Sequence, residues 1–255
     1  MDEKVDILGV KINKLNMEEA LNRIFFTIKK GKKIMVVTPN AEMIMRARKN
    51  NELKYILNEA DLSLADGAGV LLASKLLNID IKERVSGFDL LTEILSYDEF
   101  PNKFSVYFLG AKPEVVDKMI KNLINNSKLL ANNKSLAKNL EIAGYHHGYL
   151  NSDLKKELIK DINEKEPNIL FVGMGAPLQE KFLKENMEKL NINVGVTVGG
   201  SFDVLAGNLK RAPKFIQKIG LEWLYRLIQE PKRFKRTLLL PQFALIALYK
   251  SIVNK

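Results

Sequence analysis

Along residues 1–206 short apolar runs alternate with stretches whose apolar positions recur every three to four residues, as strands and amphipathic helices do in succession. Seven runs read as strands: Val5–Ile12, Lys33–Thr38, Leu62–Ala65, Phe104–Leu109, Leu140–Ala143, Ile169–Val172 and Val194–Val198. Helices fill the intervals at Met17–Lys30, Ala41–Asn58, Ala68–Leu77, Pro113–Asn125, Ser152–Glu164 and Leu178–Leu190. This alternation predicts an α/β fold, a largely parallel sheet flanked by helices. A polar turn at Asn13-Lys14 points to a peripheral hairpin at the first strand. Asn125–Asn139, rich in Asn, Lys and Ser, reads as a solvated loop or a helix extension.

Beyond Ala206 the pattern changes. Residues 207–255 carry 11 Lys and Arg against two acids, Glu222 and Glu230, whereas residues 1–206 hold 29 bases against 28 acids. Nearly all of the formal net charge of +10 therefore sits in the tail. The predicted division is an α/β catalytic domain over 1–206 and a basic amphipathic C-terminal appendage over 207–255. A tail both basic and apolar suits an anionic membrane surface and argues against nucleic acid. If half of its bases meet headgroups at roughly 1 kcal/mol each, about 5 kcal/mol accrues before Trp223, Phe234 or Phe243 inserts. The apolar run Thr237–Tyr249 is interrupted by Pro241 and Gln242 and falls short of the roughly 20 residues that span a bilayer. The tail is therefore expected to lie on or dip into a membrane without crossing it, and its apolar faces favour a homo-oligomer away from one. Met1-Asp2-Glu3-Lys4 is too acidic for a signal peptide, and the chain has no cysteine. The expected location is cytoplasmic, peripheral on the inner face of the membrane, without disulfides or thiol chemistry.

Candidate chemistry collects at the carboxyl ends of the predicted strands, where open α/β sheets place ligands. Thr38-Pro39-Asn40, Asp66-Gly67, Gly110-Ala111-Lys112, Gly173-Met174-Gly175 and Gly199-Gly200 all fall there. Glycine lets backbone N–H groups approach a phosphate, although glycines also end strands with no ligand in view. Asp66 has two readings, a general base for a sugar hydroxyl or the cap of the helix that follows. Thr38 and Asn40 could bond a polar substrate, with capping as the alternative for Asn40. Arg84 is a phosphate contact or a solvated arginine; Gln179 and Glu180 meet a ligand or form an ordinary first turn. His146-His147 stands without other His or Cys, and adjacent side chains on an extended chain point opposite ways, so no zinc site is expected. No Asp-x-Asp pair exists to hold a divalent cation, and Gly173-x-Gly175 lacks the third glycine of a dinucleotide motif. A bound diphosphate would then rely on arginines and backbone donors. On a continuous helical wheel from Phe215, Arg226 falls at the apolar edge, and Arg233 shares its azimuth with Arg236 nearby. The three make a diphosphate clamp, or an amphipathic helix with snorkelling arginines.

Eight strings occur in order: 38–43 (TPNAEM), 65–70 (ADGAGV), 84–89 (RVSGFD), 146–149 (HHGY), 172–180 (VGMGAPLQE), 199–203 (GGSFD), 211–214 (RAPK) and 220–226 (GLEWLYR). In these, and over nearly its whole length, the chain resembles the WecG/TagA/CpsF family of bacterial glycosyltransferases. The resemblance implies a Rossmann-like α/β fold and a membrane-associated enzyme that moves N-acetylmannosamine from its UDP donor to GlcNAc on undecaprenyl diphosphate. In the TagA-like branch the β-1,4 product begins the linkage unit of wall teichoic acid. By the same resemblance Asp66 is the base, with Thr38 and Asn40 beside it. The substrate-binding residues are then Arg84, Gly110, Tyr149, Gly173, Gln179, Asp203, Arg226, Arg233 and Arg236. An α-linked donor giving a β product implies one inverting displacement, with no protein nucleophile, metal or cofactor. Many relatives carry a basic residue where Leu178 stands, so that phosphate contact is missing here. Two other readings compete: a same-family transferase using another UDP-sugar for capsule or exopolysaccharide, and a non-catalytic lipid-binding module in which the tail does everything.

Overall fold

The computed structural model describes residues 3–125 and 134–253. Residues 126–133, the middle of the Asn- and Lys-rich segment, lie outside the described residues, as do the first two and last two positions. Eight strands form: β1 (Lys4–Ile7), β2 (Val10–Asn13), β3 (Ile34–Val37), β4 (Leu62–Ser63), β5 (Phe104–Gly110), β6 (Leu140–His146), β7 (Ile169–Gly173) and β8 (Val194–Thr197). The chain divides into two compact units that are discontinuous in sequence. One comprises Met1–Met17, Thr38–Ser86 and Leu209–Lys255, the other Glu18–Val37 and Gly87–Asn208.

In the second unit five strands run parallel in the order β3-β8-β7-β5-β6. Every residue of β3, β7 and β8 is buried, which is why their sequences read as unbroken apolar runs: a parallel sheet is covered by helices on both faces. Phe108 of β5 stacks on Phe171 of β7 at 5.6 Å and meets the edge of Phe202 at 5.8 Å. A second aromatic group joins Phe25 to Tyr97, Phe100 and Phe104. Helix Gly87–Leu95, absent from the sequence reading, buries Leu90, Leu91, Ile94 and Leu95. Glycine is a weak helix former at its first position, and burial of the apolar face outweighs that preference.

The first unit holds the β1–β2 hairpin, registered Lys4↔Asn13 to Ile7↔Val10. Its turn falls at Leu8-Gly9, where both residues have positive φ (54° and 95°), and not at Asn13-Lys14. The turn shifts the apolar alternation from Val5 and Ile7 to Val10 and Ile12, but Leu8 is itself apolar and buried, so the segment reads as one continuous apolar run. The expected helix 41–58 is two helices, Ala41–Ala47 and Asn51–Glu59, because Asn50 Oδ1 accepts from Leu53 N at 3.0 Å and restarts the helix. The tail carries helices Lys214–Lys218, Glu222–Gln229, Phe234–Thr237 and Leu239–Val253. Gly220, at φ +77°, separates the first two, so Phe215 and Arg226 do not share one continuous wheel. Pro241 does not end the apolar run: it sits in the first turn of its helix, where the missing N–H has no partner to lose. Together, Pro231–Val253 form a 23-residue helical stretch apolar enough, by length and composition, to cross a membrane. Its last helix packs on helices Ala41–Ala47 and Ala68–Leu76 and buries Phe243 and Ala247.

The ends of β5 and β7 meet so closely that a Cβ on Gly110 would overlap the Gly173 carbonyl, and Gly110 has φ +148°. Gly110→Ala is expected to cost about 2–4 kcal/mol, the overlap adding to backbone strain, and to lower Tm by several degrees in a thermal melt.

Candidate active site

Three loops of the first unit are tied together by backbone hydrogen bonds. Asp66 N donates to Pro39 O at 3.1 Å, and Val85 N donates to Ala65 O at 2.9 Å. These join Thr38-Pro39-Asn40, Ala65-Asp66-Gly67 and the segment carrying Arg84. Thr38 is buried. Asn40 caps helix Ala41–Ala47, its Oδ1 accepting from Met43 N at 3.0 Å, so the capping alternative holds for that side chain. Asp66 is half-buried and stands one residue before the cap position of the next helix, which Gly67 fills with φ +85°. A Cβ on Gly67 would lie only 3.9 Å from Asn40 Cβ, so the two loops are in contact.

The tail of this unit lays its arginines against three carboxylates. Arg84 Nη1 donates to Glu222 Oε2 at 2.7 Å, and Arg211 Nε lies 3.8 Å from Glu222 Oε1. Arg226 Nε and Arg233 Nη1 share Glu230 Oε2 at 3.0 and 3.3 Å. Arg233 also reaches Glu42 Oε2 at 3.8 Å, while Arg236 and Arg46 approach Glu42 Oε1 at 4.0 and 2.7 Å. Arg226, Arg233 and Arg236 thus form one chain of charge through Glu230 and Glu42. Burial works to raise the Glu230 carboxyl, but the hydrogen bond and charge of Arg226, with those of Arg233, outweigh it and hold the group below the usual range. Glu42, Arg46, Arg211, Glu222 and Glu230 were not placed at the site by sequence reasoning. Glu42, Arg211 and Glu222 lie inside the recognised strings, and that was the available signal.

The remaining candidates belong to the second unit. Gly110 and Gly173 pair at the ends of β5 and β7, Ala111 N donates to Gly173 O, and Gly148 N donates to Ala111 O. Gln179 is buried: its Oε1 accepts from Gly175 N at 3.2 Å and Gly199 N at 3.1 Å, and its Nε2 donates to Glu180 Oε1 at 2.7 Å. The side chain therefore fastens two glycine loops together. Tyr149 is exposed, and Asp203 is half-buried in the short helix Ser201–Leu205. The His146 and His147 rings lie 4.3 Å apart, and among the described residues no group of three or more His, Cys, Asp or Glu side chains gathers around a metal position.

A parallel α/β sheet with polar and glycine-rich loops at its strand ends is an enzyme scaffold that hosts many chemistries, so its class is set by the sequences it resembles. The model of the glycosyl transferase WecG/TagA/CpsF family matches residues 5–255, and the chain belongs to this family. Relatives named N-acetylglucosaminyldiphosphoundecaprenol N-acetyl-beta-D-mannosaminyltransferase are similar over most of its length. That of Bacillus subtilis is 35% identical over 214 residues, covering 84% of this chain and 78% of the relative. The one from Bacillus spizizenii is 35% identical over 213 residues, with the same coverage. That of Staphylococcus aureus is 34% identical over 243 residues, 94% of this chain and 90% of the relative.

Trp223, the chain's single tryptophan, lies in helix Glu222–Gln229 and reports on the tail. A carboxyl held low in the folded state stabilises it above its unfolded value, 4.5 for Glu230, and that contribution fades as pH falls through the folded value. Trp223 emission in urea titrations at descending pH should show the tail loosening below about pH 4.5. Glu230→Gln should flatten that acid limb.

Proposed function

We propose that this chain transfers N-acetylmannosamine from UDP-ManNAc to the C4 hydroxyl of GlcNAc-diphospho-undecaprenol; the names of its relatives carry the transfer of N-acetyl-β-D-mannosamine to that lipid-linked acceptor. One observation supports it most directly: Asp66 is half-buried in a loop bonded to Pro39, within the unit that also carries Arg84, Arg226, Arg233 and Arg236. The acceptor oxygen attacks C1 of the donor sugar from the face opposite the diphosphate. The C1–O bond to phosphate breaks, its electron pair leaves with UDP, and the acceptor proton passes to the Asp66 carboxylate. Configuration at C1 inverts in this single step. Charge grows on the departing diphosphate, where guanidinium groups stabilise it more in the transition state than before. Thr38 and Asn40 flank the base within the same unit. The product would begin a wall teichoic acid linkage unit.

The acceptor's polyprenyl chain places the reaction at a membrane, and the tail suits that setting. Trp223, Phe234, Leu238, Leu245, Leu248, Tyr249 and Ile252 are exposed among Lys214, Lys218, Lys232, Lys235 and Lys250. Such a surface binds anionic lipid through charge and apolar insertion together. The catalytic domain at 1–206 and the appendage at 207–255 remain the functional division of this reading, the enzyme sitting peripherally on the inner face.

Asp66→Asn is expected to lower kcat by a factor of about 10² to 10⁴ while UDP affinity stays within about threefold, measured by UDP release with a soluble lipid-diphosphate-GlcNAc analogue. Full turnover in Asp66→Asn would remove Asp66 from the role of base, whereas lipid binding without turnover in the wild type would favour the lipid-binding module. Deleting residues 209–255 is expected to abolish turnover even with that soluble acceptor, because Arg226, Arg233 and Arg236 leave with the tail. EDTA should leave the intact enzyme unaffected.

A further inference from the structure

The tail is fastened to the loops around Asp66 at two points that no assigned role explains. The first is steric. A Cβ on Gly220, which has φ +77°, would stand 2.9 Å from the Cβ of Ala68, two residues after Asp66. Only glycine lets the turn at 220 seat this deeply against the start of helix Ala68–Leu76. The second is ionic. Two residues on, Glu222 Oε2 accepts from Arg84 Nη1 at 2.7 Å, and its other oxygen faces Arg211 at 3.8 Å. Arg84 is in turn carried by the segment whose Val85 N bonds Ala65 O. Glu222 thus reaches across 138 positions of sequence to a guanidinium on the loop next to Asp66.

We infer that Glu222 is a positioning residue: it latches the tail to Arg84, so that one carboxylate both orients Arg84 and seats the helix bearing Arg226. The inference rests on the transfer reading above for what Arg84 and Arg226 contact. The Arg84–Glu222 pair is short, charge-assisted and part-buried, unlike the 3.8–4.0 Å approaches of Arg233 and Arg236 to Glu42. Glu222 also opens helix Glu222–Gln229, where an acid favours the helix start on its own. That purely structural benefit would persist without Arg84, whereas a latch would not. The two roles separate by coupling. With Arg84 present, loss of the Glu222 charge removes the 2.7 Å bond that ties the guanidinium to the tail; with Arg84 absent, that bond is already gone and only the longer approach to Arg211 remains.

The test uses the full chain in detergent with UDP-ManNAc and a soluble acceptor analogue, comparing wild type, Glu222→Gln, Glu222→Asp, Arg84→Gln and the double variant Glu222→Gln/Arg84→Gln. Glu222→Gln is expected to raise the donor KM roughly tenfold with kcat within about threefold, and Glu222→Asp to restore part of it. In the Arg84→Gln background the same change should cost less than about twofold. An equal factor in both backgrounds, or an unchanged KM accompanied only by a lower Tm, overturns the latch. A second arm needs no turnover: trypsin should cut within 214–236 several-fold faster in Glu222→Gln than in wild type, and this difference should vanish in the Arg84→Gln background. Equal cutting of wild type and Glu222→Gln overturns the latch. If wild type cleaves none of the donor while the trypsin arm behaves as stated, the transfer reading fails and the latch stands.

Discussion

Six guanidinium groups share three carboxylates in the unit built from residues 1–17, 38–86 and 209–255. Glu42 faces Arg46, Arg233 and Arg236; Glu222 faces Arg84 and Arg211; Glu230 faces Arg226 and Arg233. These side chains are mostly half-buried, and partial burial reduces the screening that makes exposed pairs nearly worthless. In the proposed transfer negative charge grows on the diphosphate as UDP departs. Guanidinium groups held in place by carboxylates and aimed at that growing charge would stabilise the leaving group more than the bound donor, which lowers the barrier without tightening the ground state.

That network also explains what was legible in the sequence. The wheel put Arg226 at the apolar edge of one continuous helix, but Gly220 breaks the helix on which that wheel was drawn. Its half-buried position comes from Glu230, four residues on. Strands β3, β5, β7 and β8 were readable because burial on both faces leaves only apolar residues to choose from. The β1–β2 turn and the restart of the helix at Asn50 were not, since a buried Leu8 masks the shift in alternation at the turn and a single capping side chain changes no periodicity. Nor could the sequence pattern foretell that residues 209–255 would cluster with 38–86, because that depends on long-range contacts such as Gly220 on Ala68 and Phe243 among helices Ala41–Ala47 and Ala68–Leu76.

The glycine loops show a different limit. Their composition invites a phosphate, but two of the N–H groups, those of Gly175 and Gly199, are already committed to Gln179 Oε1. A glutamine at that position satisfies both loops with one oxygen and is itself held by Glu180. Sequence identifies which residues are permissive, and only the hydrogen-bond accounting shows which are committed. This moves the weight of anion recognition toward side-chain guanidinium groups, which fork onto phosphate oxygens in a way a solitary N–H cannot.

The tail's last helix bears on how the enzyme meets lipid. At about 1.5 Å per residue, Leu239–Val253 extends roughly 22 Å, short of a hydrocarbon core of roughly 30 Å. Reaching that thickness requires the preceding turns, which carry Lys232, Arg233, Lys235 and Arg236; each cation placed near the centre of a bilayer costs about 2.5–3.5 kcal/mol by insertion scales. Two of those arginines approach Glu42, and Phe243 and Ala247 are buried against neighbouring helices, so crossing would strip the charge network and the packing at once. Lying in the interface asks for neither. The buried face of the helix stays on the protein, while Leu245, Leu248, Tyr249 and Ile252 remain free to enter the lipid. The arrangement therefore favours the peripheral seat proposed above, with the arginines staying at headgroup depth, where the diphosphate of a polyprenyl-linked acceptor also lies.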